Sequence, residues 1–591
     1  MHEYLIDDIC YQYILSKTNL KILVILEKIS KISYYKHMIF NNERLIEKII
    51  QKFSDNKNKE LVKYLLSVLT SLTEDNSIIS RRIYDLKIME KITSYIRFYD
   101  NDIKILSINL MVNVLSNANL DFTNEPMVIW SISILLNLVK DEANSVTIKT
   151  RCMNIFSLII NKSGEMQNIF FNLDGIETVL KELRMTYSDE KIKEIEESIK
   201  SIKNNKNKKS DKEKSSFFEK EDETICNLGS VNNNSNFTSL NETIYELDET
   251  GEYRASILEC LSSAASIKEE SRRKIIESKE LSIVLKLLDE SNSKLLLSTA
   301  RAILSLSRAH ISFKKYLHEY DITSWLFKLV NHQSVEVQIA ITNSLCNFLL
   351  DYSSNINEIL ECVSKLLKIL TNTKHNKIRF NSIFSIKNIF FYISSNLSGS
   401  SNRDIKRQIM KKISYDFLLN LLDDEDIGIQ EQALLIFRVL LFKTSEDVEE
   451  VFTNCKVKLL KKVEEKLNAS NSQDILLQSL YILCNISTGL EKHKSALLDE
   501  KFLFLNKISF YLDSNNWNIK NVCVLILNNL LTNTEREKSQ DAVIESKLDL
   551  LRKHNILTKL EKIANEEDAM QLEIKQNAIS ILSQVKSAQK K

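Results

Sequence analysis

Proline is almost absent from this chain: Pro126 stands alone among 591 residues, and there are only seven glycines. Proline breaks helix interiors and glycine loosens them, so a chain this poor in both has little to interrupt long helices. The same scarcity argues against an all-β protein and against a Gly-rich α/β fold. Charge of one sign is missing too. Against 80 Lys and Arg stand 79 Asp and Glu, a net charge of +1, so no global field draws in nucleic acid or an acidic membrane. No apolar run reaches the roughly 18 residues of a membrane span. The nine cysteines include no C-x-x-C pair, and Cys and His show no metal-ligand spacing. Scattered free thiols suit a reducing compartment. The opening MHEYLIDDIC is acidic and lacks the basic and then apolar regions of a secretory signal. A soluble cytosolic or nuclear protein is expected.

Catalytic patterns are missing as well. There is no phosphate-binding Gly loop, no H-E-x-x-H and no G-x-S-x-G. The histidines, such as His310, His318 and His332, fall in turns or on charged faces and read as surface residues. The acidic and basic pairs within Lys191–Lys203 read as i,i+4 charge pairs on an exposed helix. No enzyme activity, cofactor or metal site is expected.

What is present is a repeat. Ser334 to Leu350, SVEVQIAITNSLCNFLL, places Val337, Ile341, Leu345 and Phe348 on one helical stripe. Aligning other stretches on its motif (two apolar residues, any residue, a polar residue, an apolar residue) gives a ladder of rungs. These are Lys28, Ser71, Asn113, Ser157, Ser263, Ser305, Asn347, Asn388, Val439, Asn485, Asn529 and Gln584. The intervals are 43, 42, 44, 106, 42, 42, 41, 51, 46, 44 and 55 residues. A period of about 42 residues of paired helices is the armadillo or HEAT signature. The expected fold is all-α, an armadillo/HEAT-type right-handed α-solenoid, in which each unit buries its apolar face against its neighbours.

Polar turns precede the rung helices at Asp289–Asn292, Asn331–Ser334, Asn372–His375, Asp423–Asp426 and Asp513–Asn516, and are read as turn residues that supply N-caps. Pro126 fits the first turn of a helix. Cys346 and Cys484, each just before a rung Asn, read as core. Residues 204–246 turn polar and low in complexity, NNKNKKSDKEKSS and GSVNNNSNFTS, and predict a disordered insert that accounts for the 106-residue interval. The domains are therefore 1–203 (N-terminal repeats), 204–246 (insert) and 247–591 (C-terminal repeats). The basic patch Lys203–Lys209 reads either as a localisation signal or as a solvated tract. A small loop, Ser394–Arg403 with Gly399, accounts for the interval of 51, and Thr532–Leu548 for that of 55.

A row of rung amides offers donors and acceptors to the backbone of an extended peptide. One turn earlier, on the same face, come Arg301, Asn343, Phe384 and Tyr481, so that Phe384 with Asn388 and Tyr481 with Asn485 pair an aromatic with an amide. Arg379, Lys520 and Arg438 add positive charge for a carboxylate. The expected partner-binding groove is Arg301, Asn343, Asn347, Arg379, Phe384, Asn388, Tyr481, Asn485, Lys520 and Asn529. The alternative is that each asparagine bonds the loops of its own repeat, the aromatics are core and the cations are solvated.

Four blocks carry a resemblance: SLCNFLLDYS (344–353), IRFNSIFSIKNIFF (378–391), LYILCNISTGLEKHKSALL (480–498) and VLILNNLLTN with LDLLRKHNILTKLEKI (524–533 and 548–563). They resemble consecutive repeats of the armadillo-repeat-containing protein 8 family over roughly Arg301 to Gln584. The resemblance implies a non-catalytic adaptor of the GID/CTLH E3 ubiquitin ligase. One part would dock on LisH–CTLH–CRA scaffold and RING subunits. The groove would hold the C-terminal tail of a substrate receptor at Asn347, Phe384, Asn388, Tyr481, Asn485 and Asn529. Val439 departs from the family's Asn-like rung, and Phe384 stands where Trp is expected. A second reading is a solenoid for nuclear import or chaperone-type peptide binding. It is disfavoured because Trp130, Trp325 and Trp517 do not sit one turn before rung asparagines.

Overall fold

The computed structural model describes residues 20–32, 35–36, 39, 43–55, 58–86, 88–120, 126–215, 247–351, 356–397, 399–469, 472–532, 540–565 and 572–589. The opening MHEYLIDDIC and residues 216–246 of the expected insert lie outside them. Among the described residues every regular element is helical and none is a strand.

All twelve rungs fall in helices of their own. Those of the first compact unit, Met1–Ser344, are α1 (Leu20–Ser30), α2 (Lys59–Thr73), α3 (Asn101–Asn117), α4 (Val146–Ile160), α5 (Glu249–Ala264) and α6 (Ser293–Leu306). The next, α7 (Val335–Phe348), contains the boundary to the second unit, Leu345–Lys591. There follow α8 (Asn376–Asn396), α9 (Ile427–Leu440), α10 (Gln473–Ser487), α11 (Trp517–Leu531) and α12 (Leu572–Gln589). Within the first unit α1 to α6 pack in chain order, and within the second α8 to α12 do the same. This is the layered stacking of an armadillo-type α-solenoid. The apolar stripe of Ser334–Leu350 is buried as expected, with Val337, Ile341, Leu345 and Phe348 all sealed from water.

The turns cap as their chemistry dictates. Asn292 Oδ1 accepts from the Lys294 and Leu295 amides, Asp426 from Gly428 at 2.8 Å, and Asn516 from Asn518 at 3.0 Å. His375 is the exception, since its side chain caps nothing. Pro126 opens the helix Pro126–Lys140, where a missing N–H costs no bond.

Three local expectations need correction. Ser394–Arg403 is not a loop. The α8 helix runs to Asn396 and a helix over Gly399–Ile413 follows, with Gly399 at φ +66° at the joint. The extra length of that interval is therefore helical. The polar helix read as exposed extends over Asp189–Ser215 and buries a stripe of Ile192, Ile195 and Ile199 against the helices Leu281–Lys286 and Ile311–Glu319. It passes Asn204, where the insert was expected to begin. Lys203 meets Glu319 at 2.6 Å and lies over the Tyr320 ring, so that end of the basic patch is held in the fold. Third, His493 is not a surface residue. It is fully buried, its Nδ1 accepting the Leu490 N–H at 3.0 Å and its Nε2 2.7 Å from Glu449.

The 106-residue interval leaves no gap in the stack, because α4 packs directly on α5. Gln167 ties the seam: its Nε2 donates to the Ser263 carbonyl at 2.9 Å, and its Oε1 accepts the Lys268 N–H at 3.0 Å. Beside it Lys149 and Tyr253 both bond Glu182 Oε2, at 3.0 and 2.7 Å, in a buried triad. A buried carboxylate needs such partners, and Tyr253 is pushed upward by burial and then by Glu182. The boundary between the compact units lies far from this seam, at Ser344/Leu345.

Candidate partner-binding face

The rung asparagines sit in one register. Asn388 Nδ2 donates to the Cys346 carbonyl at 2.8 Å and Asn485 Nδ2 to the Arg438 carbonyl at 2.8 Å. In the first unit Asn113 Nδ2 donates to the Thr70 carbonyl at 3.4 Å. Each acceptor is the residue just before the preceding rung. Asn529 follows the pattern with a side-chain variation, donating to Ser487 Oγ at 3.1 Å and lying 3.7 Å from Cys484 Sγ. The amides are thus struts between neighbouring rung helices, and Asn388 is only 2% exposed. Asn347 is half-buried near the end of α7 and is engaged by a neighbouring group. Asn343, one turn earlier, is half-buried.

The cations separate into two kinds. Arg379 forks onto both oxygens of Asp424, whose Oδ1 also accepts the Asp426 N–H. It clamps the turn before α9. Arg301, exposed in the first unit, pairs with Glu259 at 2.9 Å. Lys520, near the start of α11, is half-buried and partnered. Arg438 behaves differently. It lies 3.8 Å from the centre of the Tyr481 ring and donates to the neutral Gln478 Oε1 at 3.0 Å. Burial pushes its guanidinium below the ordinary range.

Lys387 makes the matching arrangement on α8, a residue that sequence inspection passed over. Its Nζ lies 3.7 Å from the centre of the Phe384 ring and 2.6 Å from Asn388 Oδ1. Burial lowers this ammonium to about 8. The nearby Glu431 carboxyl is pushed up by its own burial. Phe384 and Tyr481 are half-buried and bear cations on their faces, a contact worth about 0.5–2 kcal/mol each. The Cys346 thiol beneath is buried, bonded to Ser385 and Asn381, and raised to about 11 by desolvation.

A second buried polar series also escaped the sequence reading. Ser80, Gln167, Arg272, Asn402 and Lys547 each lie in the helix after a rung helix and donate to its last carbonyls. For the first three, a polar residue nine or ten positions after the rung was the available signal. Among the described residues no cluster of His, Cys, Asp or Glu could hold a metal, and no helix is long and apolar enough to cross a membrane.

No family model matches the chain. Armadillo repeat-containing protein 8 of Danio rerio is 26% identical over 312 residues, 52% of this chain and 45% of that protein. Its counterpart in Pongo abelii is 25% identical over 334 residues, 56% of this chain and 47% of that protein. GID complex subunit 5 of Schizosaccharomyces pombe is 26% identical over 254 residues, 42% and 31% of the two chains. The chain thus spans about half the length of the curated relatives it matches. A crystal structure of an engineered protein shares the fold, with a TM-score of 0.55 at 15% identity over 83% of this chain and 99% of that one. With its rungs stacked in register, the chain is similar over about half its length to armadillo repeat-containing protein 8 and, over less of it, to GID complex subunit 5.

Proposed function

We propose that this protein is a non-catalytic adaptor subunit of a GID/CTLH-type E3 ubiquitin ligase, acting in cytoplasm and nucleus. The observation that carries the reading is the kinship with GID complex subunit 5 and with armadillo repeat-containing protein 8. A helical stack without a marked acid, base or nucleophile suits holding rather than reacting. In this reading the rung face of the second unit holds the C-terminal tail of a substrate receptor, while other surfaces dock on LisH–CTLH–CRA scaffold and RING subunits. The rung amides serve the stack, so the groups left to meet the tail are the aromatic and cationic side chains around Phe384, Tyr481, Lys387 and Arg438.

Affinity purification of the full chain from its own cells, followed by mass spectrometry, tests this. RING and CTLH-domain proteins are expected in the eluate. Tyr481→Ala is expected to lower receptor recovery while leaving scaffold recovery unchanged. An eluate of import receptors and their cargo, without RING proteins, would replace the reading with the transport alternative.

A further inference from the structure

The residue just before each rung is where the second unit departs from the first. In the first unit these positions are Glu27, Thr70, Val112, Phe156, Ser262 and Leu304, none of them a cation. In the second unit two successive positions are Lys387 and Arg438, on the packed helices α8 and α9. Neither has a carboxylate within ion-pair distance among the described residues. Among the described residues each has one neutral acceptor, Asn388 Oδ1 for Lys387 and Gln478 Oε1 for Arg438. An ammonium has three N–H donors and a guanidinium five, so most of this capacity is unspent. Four residues after Lys387 on the same helix comes an exposed aromatic, Phe391 (39% exposed), its ring centre 5.5 Å from Lys387 Nζ. A second exposed aromatic, Phe442 (51%), follows just past the end of α9.

We propose that Lys387 and Arg438, with Phe391 beside Lys387, form a docking surface for an extended acidic segment of a partner protein, each cation taking one carboxylate. This rests on the reading of the rung face as partner-binding and names the chemistry it selects. Packed helices lie about 8–10 Å apart, and a segment in the polyproline II form advances about 3.1 Å per residue with about three residues per turn, so two carboxylates three residues apart lie on one face at that spacing. An apolar side chain beside the acid that meets Lys387 covers Phe391. Glu431 lies close enough to act on Lys387 but forms no ion pair with it, and it repels a second acid placed too near α9's first turns.

The test uses the full chain and a fluorescent peptide of apolar residues carrying two glutamates with two residues between them. The controls are the same peptide with Gln or with Lys at both sites. The Glu peptide is expected to bind at least about tenfold more tightly than the Gln peptide, with the difference shrinking as salt rises. Lys387→Gln and Arg438→Gln should each remove roughly tenfold of that affinity. The charge-reversed double variant, Lys387→Glu with Arg438→Glu, should bind the Lys peptide instead, which also shows that the variant is folded. Equal binding of Glu and Gln peptides, binding of neither, no change in the variants, or stronger binding of a single-stranded oligonucleotide overturns the proposal. Failure to recover ligase subunits from cells, with peptide discrimination intact, overturns the adaptor reading alone.

Discussion

A rung asparagine looks like a ligand to a passing peptide, yet its amide is drawn inward. Asn388 is buried, and its donor reaches a carbonyl on the preceding rung helix. A buried amide left without a partner costs about 1–3 kcal/mol, which favours the internal bond wherever a carbonyl lies in reach. Asn388→Ala should therefore lower unfolding stability by about 1–3 kcal/mol. Asn343→Ala, at a half-buried site with no such strut, should stay within about 0.5 kcal/mol. Urea denaturation distinguishes them, and an equal effect would show that the strut carries nothing. His493 gives a second residue-scale test. Burial holds its imidazole below the ordinary value, against the opposing pull of Glu449. The unfolded chain therefore takes up the proton first. The stabilisation is complete above the unfolded value near pH 6.5 and is lost as pH falls from there towards the folded value. Melting temperatures recorded from about pH 7 to about pH 5 should fall less steeply in His493→Gln than in the parent.

Helices in this protein end on side chains from the next element. The last carbonyls of a helix carry partial negative charge and lack intrahelical donors. Arg272, on the helix Glu269–Ile276, supplies three bonds there: Nε to Ala265 at 2.8 Å, and Nη2 to Ser266 and Ile267 at 2.9 and 3.0 Å. Its neighbour Arg273 makes an exposed pair with Glu277. Arg272→Met should destabilise the first unit by on the order of 3 kcal/mol, because buried carbonyls lose charged donors. Arg273→Met should be close to neutral, as exposed pairs are. The pair of variants, compared by denaturant midpoint, separates capping from charge. Gly489 shows how tightly such joints close: a Cβ there would stand 2.4 Å from His493 Nδ1, the atom that accepts the Leu490 N–H.

The first unit as a whole is one stack. Residues on either side of 216–246 meet in the α4–α5 interface, with the Lys149–Glu182–Tyr253 triad and the Gln167 bonds across it. Arg254 adds a bond from Nη2 to the Thr186 carbonyl at 2.7 Å and lies over Tyr187. A protease site placed within 216–246 and cut once should leave two fragments that co-elute on size exclusion. Separate elution would mean that the covalent link, not the interface, holds the unit together. Glu182→Gln in the cut protein should promote separation, since it leaves Lys149 buried without its counter-charge.

Periodicity alone was enough to place all twelve rung helices and their buried stripes, because a repeating apolar pattern has one way to hide itself from water. Turn chemistry placed most of the caps for a similarly local reason: Asn292, Asp426 and Asn516 bond amides two residues on. The four C-terminal blocks carried the resemblance to the armadillo-repeat-containing protein 8 family. What linear sequence could not show is which polar groups share a space. Asn388 and Cys346 are 42 residues apart, and only stacking brings the amide to that carbonyl. Arg379, Arg438 and Lys387 look alike as cations, and their neighbours across the layer divide them into one clamped on Asp424 and two resting on aromatic rings. The buried stripe of Asp189–Ser215 was hidden in a polar composition until two later helices supplied the surface it covers. Local pattern decides which residues must be buried, and tertiary packing decides which of the remaining charges find a partner inside the chain.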